Sequence, residues 1–225
     1  MTGLPRSGST FMHQLLAEDP NCRGLCNWEM ASCPVPPTRE DEYFTDPRIT
    51  AMQEQQKAMS KIAPRFDEVV SVMHAVEPLK VDEHHLVQDD AIMDLFGAVL
   101  SFTVPGQAYY KRYTEGIKPG FVYLKRYLQM KSSAYSPSSH WILKNPVDSL
   151  TGIENILDEF PDARIVLTHR DMMAVARSNY PLMKAVFGLY GYITTEHVVE
   201  FFLTWMDKAT DEMIQLVSRA AGKNP

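Results

Sequence analysis

Apolar positions along this 225-residue chain recur at helical spacing over most of its length, and strand-like runs are few. Phe11, Met12, Leu15 and Leu16 predict a helix from about Ser9 to Glu18 that stops before Pro20. Asn21 to Pro37 holds Cys22, Cys26, Cys33, Trp28-Glu29 and three prolines, and reads as an irregular loop. Asp46-Pro47 has the form of an N-cap followed by proline at the first helical position. It opens a helix to Ile62 with Ile49, Met52, Gln56 and Met59 along one side, ended by Pro64. Asp67 to Met73 reads as a short helix, and a helix starting at Asp82 runs through Ala91–Phe96 to about Leu100. Pro105-Gly106 and Lys118-Pro119-Gly120 are turn signals. Phe121, Leu124, Tyr127 and Leu128 then mark the buried side of a helix to Lys131, with Lys125, Arg126 and Lys131 on its other faces.

The pattern changes after the Ser136–Ser139 loop. His140 to Lys144 is a short buried strand ending at Asn145-Pro146. A helix from about Ser149 to Glu159 turns Leu150, Ile153, Leu157 and Phe160 to the core. Arg164-Ile165-Val166-Leu167-Thr168 is the clearest strand in the chain. Strand, helix, strand in so short a span is a βαβ unit and implies a parallel sheet. A helix from Asp171 carries Ser178 and is disturbed by Pro181. The last helix spans about Thr195 to Ala220, with Val198, Phe202, Trp205, Ala209, Met213 and Leu216 as its core stripe. The predicted class is α/β, a parallel sheet flanked by helices in three layers, in a single domain.

Composition narrows the functions. Hydrophobic content of 45% and charged content of 22% are ordinary for a globular chain. A net charge of −6 excludes a broadly basic surface for nucleic acid or heparin, so anions must bind at local sites. No apolar run approaches the ~20 residues of a membrane span. Three cysteines, an odd number, suit a reducing compartment; a cytoplasmic setting is the default expectation, with an anchor ahead of the N-terminus as its alternative. Their spacing suits packing or free thiols better than metal ligation, and no metal site is expected.

One stretch carries chemistry. Gly3-Leu4-Pro5-Arg6-Ser7-Gly8-Ser9-Thr10 sets two glycines around a cation and runs into a helix. Such a turn aims backbone N–H groups and the positive end of the helix dipole at one point, which suits a phosphate. Read without function, it is a surface turn with a polar helix cap. The spacing nearly matches the nucleotide-triphosphatase loop, but Ser9 stands where that loop has lysine, and the cation sits earlier at Arg6. Far downstream, Arg170 follows the strong strand and Ser178 lies eight residues on. Ligands of parallel sheets bind at the carboxyl ends of strands, which is where Arg170 and Lys144 both fall. Arg170 can otherwise pair with Asp171 or another nearby carboxylate beside an exposed Ser178, and Lys144 can be a strand-end lysine in solvent.

Pro5-Arg6-Ser7-Gly8-Ser9-Thr10 resembles the 5′-phosphosulfate loop of the sulfotransferases that use 3′-phosphoadenosine 5′-phosphosulfate, in the arginine form of the bacterial and tyrosylprotein enzymes. Arg170 and Ser178 resemble that family's 3′-phosphate site, and Lys144-Asn145-Pro146 its Lys-x-Pro segment. The resemblance implies a P-loop nucleotide-hydrolase-like fold, with a helical acceptor-binding cap at about residues 40–135. It implies sulfuryl transfer from that co-substrate to a hydroxyl, or else an amine, of a small molecule, glycan or peptide, without a required metal. Pro5, Arg6, Ser7, Gly8, Ser9, Thr10, Arg170 and Ser178 would bind the donor, and Lys144 would face the transferred group. Further segments are expected at both ends, since only two residues precede Gly3 where a strand should feed the loop.

The proton-accepting group is open between two places. Glu29 follows the loop as a comparable glutamate does in the arginine-type enzymes, and is the first choice. The Glu83-His84-His85 cluster is second, because histidine titrates near neutral pH, although a solvated helix start explains that cluster as well. His13 reads as a packed or exposed histidine. Two rival readings remain: a P-loop-type nucleotide-binding phosphotransferase, against which Ser9 argues, and a non-catalytic remnant of the sulfotransferase fold.

Overall fold

The computed structural model describes residues 1–31, 34–62, 76–89, 118–146, 152–189, 194–220 and 222. The expected helix at Asp67–Met73, the Ala91–Leu100 stretch, the Pro105-Gly106 turn and Cys33 lie outside them. So do Ser149, Leu150 and the side chains of Val198, Phe202 and Trp205.

Four short parallel strands form the centre. β1 (Thr2–Gly3) pairs with β4 (Leu167–Thr168), setting Thr2 beside Leu167 and Gly3 beside Thr168. β2 (Cys22–Arg23) pairs with β3 (His140–Trp141), setting Cys22 beside His140. The two pairs are stitched together by Met1, whose nitrogen donates to the Leu143 carbonyl (2.6 Å) and whose carbonyl accepts from Asn145 N (3.3 Å). The order across the sheet is therefore β2–β3–β1–β4. The chain crosses from β3 to β4 through α6 (Ile153–Glu159), the βαβ unit read from the sequence. Gly3 has φ +145, and a Cβ there would stand 2.4 Å from the Thr168 carbonyl, so only glycine lets the two strands approach this closely.

Helices cover the sheet on both sides. Leu4 and Ile153 pack with Val175 and Met183 of α7 (Met172–Leu189) and with Met206, Ala209 and Met213 of α8 (Thr195–Ala220). A second cluster joins Leu25 and Met30 to Val87 of α4 (His85–Asp89) and to Phe121, Leu124, Tyr127 and Leu128 of α5 (Lys118–Ser132). A third holds Cys26, Trp28 and Tyr43 against Ile49 and Met52 of α3 (Pro47–Ile62). Asp46 caps α3, its Oδ1 accepting from Arg48 N at 2.9 Å. Among the described residues no helix is long and apolar enough to cross a membrane.

Several expectations change. α1 covers Ser9–Leu16, two residues shorter than predicted. The stretch after it is not all irregular: it contains β2 and α2 (Asn27–Ala31), because Leu25, Trp28 and Met30 are core residues that need a regular backbone. Lys118-Pro119-Gly120 is the first turn of α5 rather than a separate turn, since proline is tolerated there. Lys131 does not face outward. It lies four residues after Tyr127 and three after Leu128, on the buried face, and is 1% exposed. Leu157 is partly exposed instead of core-facing. Pro181 sits inside an unbroken α7. Regular pairing in the fourth strand is confined to Leu167–Thr168, although Thr2 N also bonds the Val166 carbonyl at 3.0 Å.

Candidate active site

The loop between β1 and α1 opens with a tight turn. Ser7 N bonds the Leu4 carbonyl at 3.2 Å, Pro5 occupies the second position, and Arg6 has φ +67. Proline followed by a positive φ is the pattern of a type II turn, whose third position normally holds glycine. An arginine held there costs on the order of 1 kcal/mol, a strain typical of functional loops. Gly8, at φ +89, is the residue before α1 and offers no side-chain cap. The first N–H groups of α1, which lack intrahelical acceptors, are thus not taken by the N-cap residue's side chain and are of a kind that can bond an anion or water. The polar-cap reading of this stretch does not describe it.

The two motifs meet although more than 160 residues separate them in the chain. Arg6 Nε donates to Ser178 Oγ at 3.0 Å, and Arg170 Nη1 donates to the Arg6 carbonyl at 3.0 Å. Ser7 Oγ lies 2.7 Å from Thr168 Oγ1, which also donates to the Thr2 carbonyl at 3.2 Å. Arg170 is exposed, and Arg6 and Ser178 are half-buried. Cations at a strand end and a helix start, with solvent on one side, are groups able to bind anions.

Lys144 arrives from β3. Its Nζ donates to Thr10 Oγ1 at 2.8 Å and pairs with Glu83 Oε1 at 2.5 Å. The other Glu83 oxygen lies 3.3 Å from His85 Nδ1. Burial alone would raise the Glu83 carboxyl, but the Lys144 ammonium and the His85 contact outweigh it and hold it well below the usual carboxylate range. His84 turns inward and is buried, its backbone N–H on the Lys144 carbonyl at 3.1 Å. Burial holds its ring well below the usual histidine range. The segment is therefore not a solvated helix start. His13 is also packed: Nε2 donates to the Ile142 carbonyl at 3.1 Å, and burial lowers the ring to about 4.

Glu29 is kept apart from these groups. Its carboxylate is ion-paired with Arg23, accepts from Cys26 N (3.2 Å) and the Tyr43 hydroxyl (2.6 Å), and lies 3.9 Å from Lys131 Nζ. Arg23 is stacked among Tyr43, Tyr135 and Trp141, with ring centroids 5.0, 4.2 and 4.7 Å away. Sequence reading missed Thr168 and the two cations at Glu29. Lys131 carried a signal in its register with Leu124 and Tyr127; Arg23, in an irregular-looking stretch, carried none. Among the described residues no three His, Cys, Asp or Glu side chains are grouped to hold a metal ion.

The family model described as "Sulfotransferase family" matches residues 1–221. Two solved structures are similar over 97% of the chain. Sulfotransferase STF9 of Mycobacterium avium is 26% identical with a TM-score of 0.73. Sulfotransferase STF1 of Mycobacterium tuberculosis H37Rv, 20% identical with a TM-score of 0.69, is alike in fold. The chain spans 55% and 57% of the length of those two proteins. No curated protein sequence matches it significantly.

Proposed function

This chain belongs to the sulfotransferase family, and on that premise we propose that it binds 3′-phosphoadenosine 5′-phosphosulfate and transfers the sulfuryl group to an acceptor hydroxyl, or else an amine. The observation that carries the reading is the meeting of Arg6 with Ser178 and Arg170. Two anion-suited motifs from opposite ends of the chain converge, as a donor with phosphates at both its 3′ and 5′ positions requires.

In this reading Arg170 and Ser178 take the 3′ phosphate. Arg6, the α1 N–H groups, Ser9 and Thr10 take the 5′ phosphate, with Pro5, Ser7 and Gly8 shaping the turn. Sulfuryl transfer is an in-line displacement that depends on positioning and charge stabilisation. Arg6 and Lys144 stabilise the charge gained by the departing phosphate. The base belongs to the segment around Glu83, which touches Lys144, rather than to Glu29, whose oxygens are committed to Arg23, Cys26 and Tyr43. Residues at about 40–135 form the acceptor side, for a small molecule, glycan or peptide. A cytoplasmic setting completes the proposal, consistent with Cys22 and Cys26 as free thiols.

Calorimetric titration with adenosine 3′,5′-bisphosphate, against 5′-AMP and ATP, tests this. Preferential binding of the bisphosphate, lost in Arg170→Ala, is expected. Equal affinity for 5′-AMP from a folded sample would sink the donor reading, and a preference for ATP would promote the phosphotransferase. Bisphosphate binding without any transfer would identify a binding remnant.

A further inference from the structure

We infer that the paired hydroxyls of Ser7 and Thr168 form a positioning strut that sets the spacing between the two phosphate sites, and so selects nucleotides phosphorylated at both the 3′ and 5′ positions; the assignment rests on the donor reading above. Ser7 Oγ and Thr168 Oγ1 lie 2.7 Å apart across 161 positions of chain. Ser7 adjoins Arg6 on the 5′ side, and Thr168 ends β4 two residues before Arg170 on the 3′ side. The strut thus stands at the root of both sites.

The direction of the bonds decides what each hydroxyl does. Thr168 Oγ1 donates to the Thr2 carbonyl at 3.2 Å. A hydroxyl has one proton, so Ser7 is the donor in its contact with Thr168. The Ser7 proton is therefore committed to β4 and not to an incoming anion. Both ends of the loop, Thr2 in β1 and Ser7 after the turn, are pinned to one atom. The chain makes room for that atom: a Cβ on Gly3 would stand 2.4 Å from Thr168 Oγ1 as well as from the Thr168 carbonyl. Between the pinned points the backbone holds Arg6 at φ +67, a conformation that a residue other than glycine keeps only where its surroundings impose it.

Other contacts join the same two motifs, but they use phosphate-binding groups. Arg6 Nε on Ser178 Oγ and Arg170 Nη1 on the Arg6 carbonyl engage guanidinium and hydroxyl groups assigned to the phosphates, and an anion competes for them. The Ser7 and Thr168 hydroxyls are assigned to neither phosphate, so their contact persists when the donor is bound. A ribose fixes the span between a 3′ and a 5′ phosphate. Two linked groups bind far better than either alone only when the spacing of their sites matches that span. Holding the spacing beforehand also removes the cost of ordering the loop on binding.

The test compares adenosine 3′,5′-bisphosphate, 5′-AMP and 3′-AMP by calorimetry. It uses the full chain, Thr168→Val, Thr168→Ser, Ser7→Ala and the double variant Ser7→Ala/Thr168→Val, with an unfolding midpoint for each. Valine keeps the shape of threonine without the hydroxyl. Ser7→Ala breaks the strut from the other end and leaves the Thr2 carbonyl bonded. Thr168→Val and Ser7→Ala should each weaken the bisphosphate ~10-fold and either monophosphate by no more than about twofold. Thr168→Ser should bind as wild type, and the double variant should lose no more than the worse single one. When water takes the sulfuryl group and inorganic sulfate is released, the loss should appear in KM for the donor, with kcat kept. Bisphosphate affinity within about twofold of wild type in Thr168→Val, against the loss a broken strut brings, would overturn the assignment. So would an equal loss for 5′-AMP in Ser7→Ala, which would make Ser7 a direct phosphate ligand. A lower unfolding midpoint with unchanged affinity ratios would make the contact merely structural, and losses that multiply in the double variant would mean no strut; either result would overturn it too. Failure of the wild-type chain to bind the bisphosphate would remove the donor reading itself and the assignment with it.

Discussion

Two charge clusters flank the sheet of this molecule, and each joins a lysine to a glutamate. At the carboxyl ends of the strands, Lys144 pairs with Glu83 and reaches the loop through Thr10, with Arg6, Arg170 and Ser178 beside it. On the β2 side, Glu29 is surrounded by Arg23, Lys131 and Tyr43, and Arg23 is walled in by three aromatic rings. Lys144 is as buried as Lys131, but its neighbours on the loop side open to solvent, Arg170 exposed and Arg6 half-buried, whereas Arg23, Glu29 and Lys131 are all buried. Ions open to solvent can exchange partners with an incoming anion; ions closed off by rings are placed to hold elements together. Glu29 ties α2 to β2, to the 3₁₀ turn at Glu40–Thr45 through Tyr43, and to α5 through Lys131 and the Tyr127 hydroxyl on its backbone carbonyl.

The largest effect should come from opening the closed cluster. Glu29→Ala leaves Arg23 and Lys131 buried without their carboxylate, a loss of about 3–5 kcal/mol, read as a lower midpoint in thermal or urea unfolding. Burial already lowers the Lys131 ammonium to about 8, so that lysine has little charge stabilisation to spare. Glu29→Gln, which keeps hydrogen bonds to Cys26 and Tyr43, separates the roles. An unchanged midpoint with sulfate release abolished would make Glu29 the base and break the comparison.

Next is Lys144→Met. It removes a cation from the loop, and sulfate release should fall ~100- to 1,000-fold, while bisphosphate affinity changes much less. A variant that loses binding and rate equally would show Lys144 to act in donor binding alone.

Between the clusters, His13 links the open site to stability. The unfolded ring titrates near 6.5 and the folded ring, lowered by burial, near 4. Between those values the unfolded chain takes up the proton and the folded chain does not. Stability is therefore full above pH 6.5 and declines as pH falls to 4, by about 3 kcal/mol at most from this residue. Urea midpoints measured at pH 7, 5.5 and 4.5 should decline more steeply in wild type than in His13→Phe. Parallel slopes would mean that other groups govern the acid limb.

The open site was legible in the sequence and the closed one was not. Gly3, Arg6 and Gly8 announce a strained turn, and Arg170 and Ser178 keep a fixed spacing after an obvious strand, because local backbone rules govern both. Whether Arg6 and Ser178 touch depends on sheet order, which a parallel βαβ unit largely dictates. The Arg23–Glu29 pair obeys no local rule. It forms because β2 lies beside β3, which brings Trp141 and Tyr135 over a residue about 115 positions away. Lys131 was misread because charge was weighed above register: its spacing from Leu124, Tyr127 and Leu128 already put it on the buried face. The same habit made Glu83-His84-His85 look solvated, when pairing with Lys144 brings Glu83 inward.

The smallest effect tests whether the open cluster works by exchange of partners. Ser178 Oγ accepts from Arg6 Nε at 3.0 Å, while Arg170 holds the Arg6 carbonyl. A 3′ phosphate arriving beside Arg170 brings stronger acceptors than a hydroxyl. Ser178→Ala therefore removes one neutral hydroxyl from a site that keeps both guanidinium groups. Bisphosphate affinity should fall by about 1 kcal/mol, roughly fivefold, and 5′-AMP affinity should hold. The fold should be indifferent, because the hydroxyl is half-buried and water can replace it. Equal losses for both nucleotides would mean that Ser178 acts by fixing Arg6 rather than by contacting the 3′ phosphate. The double variant Arg6→Gln/Ser178→Ala would then show its two effects coupled instead of additive.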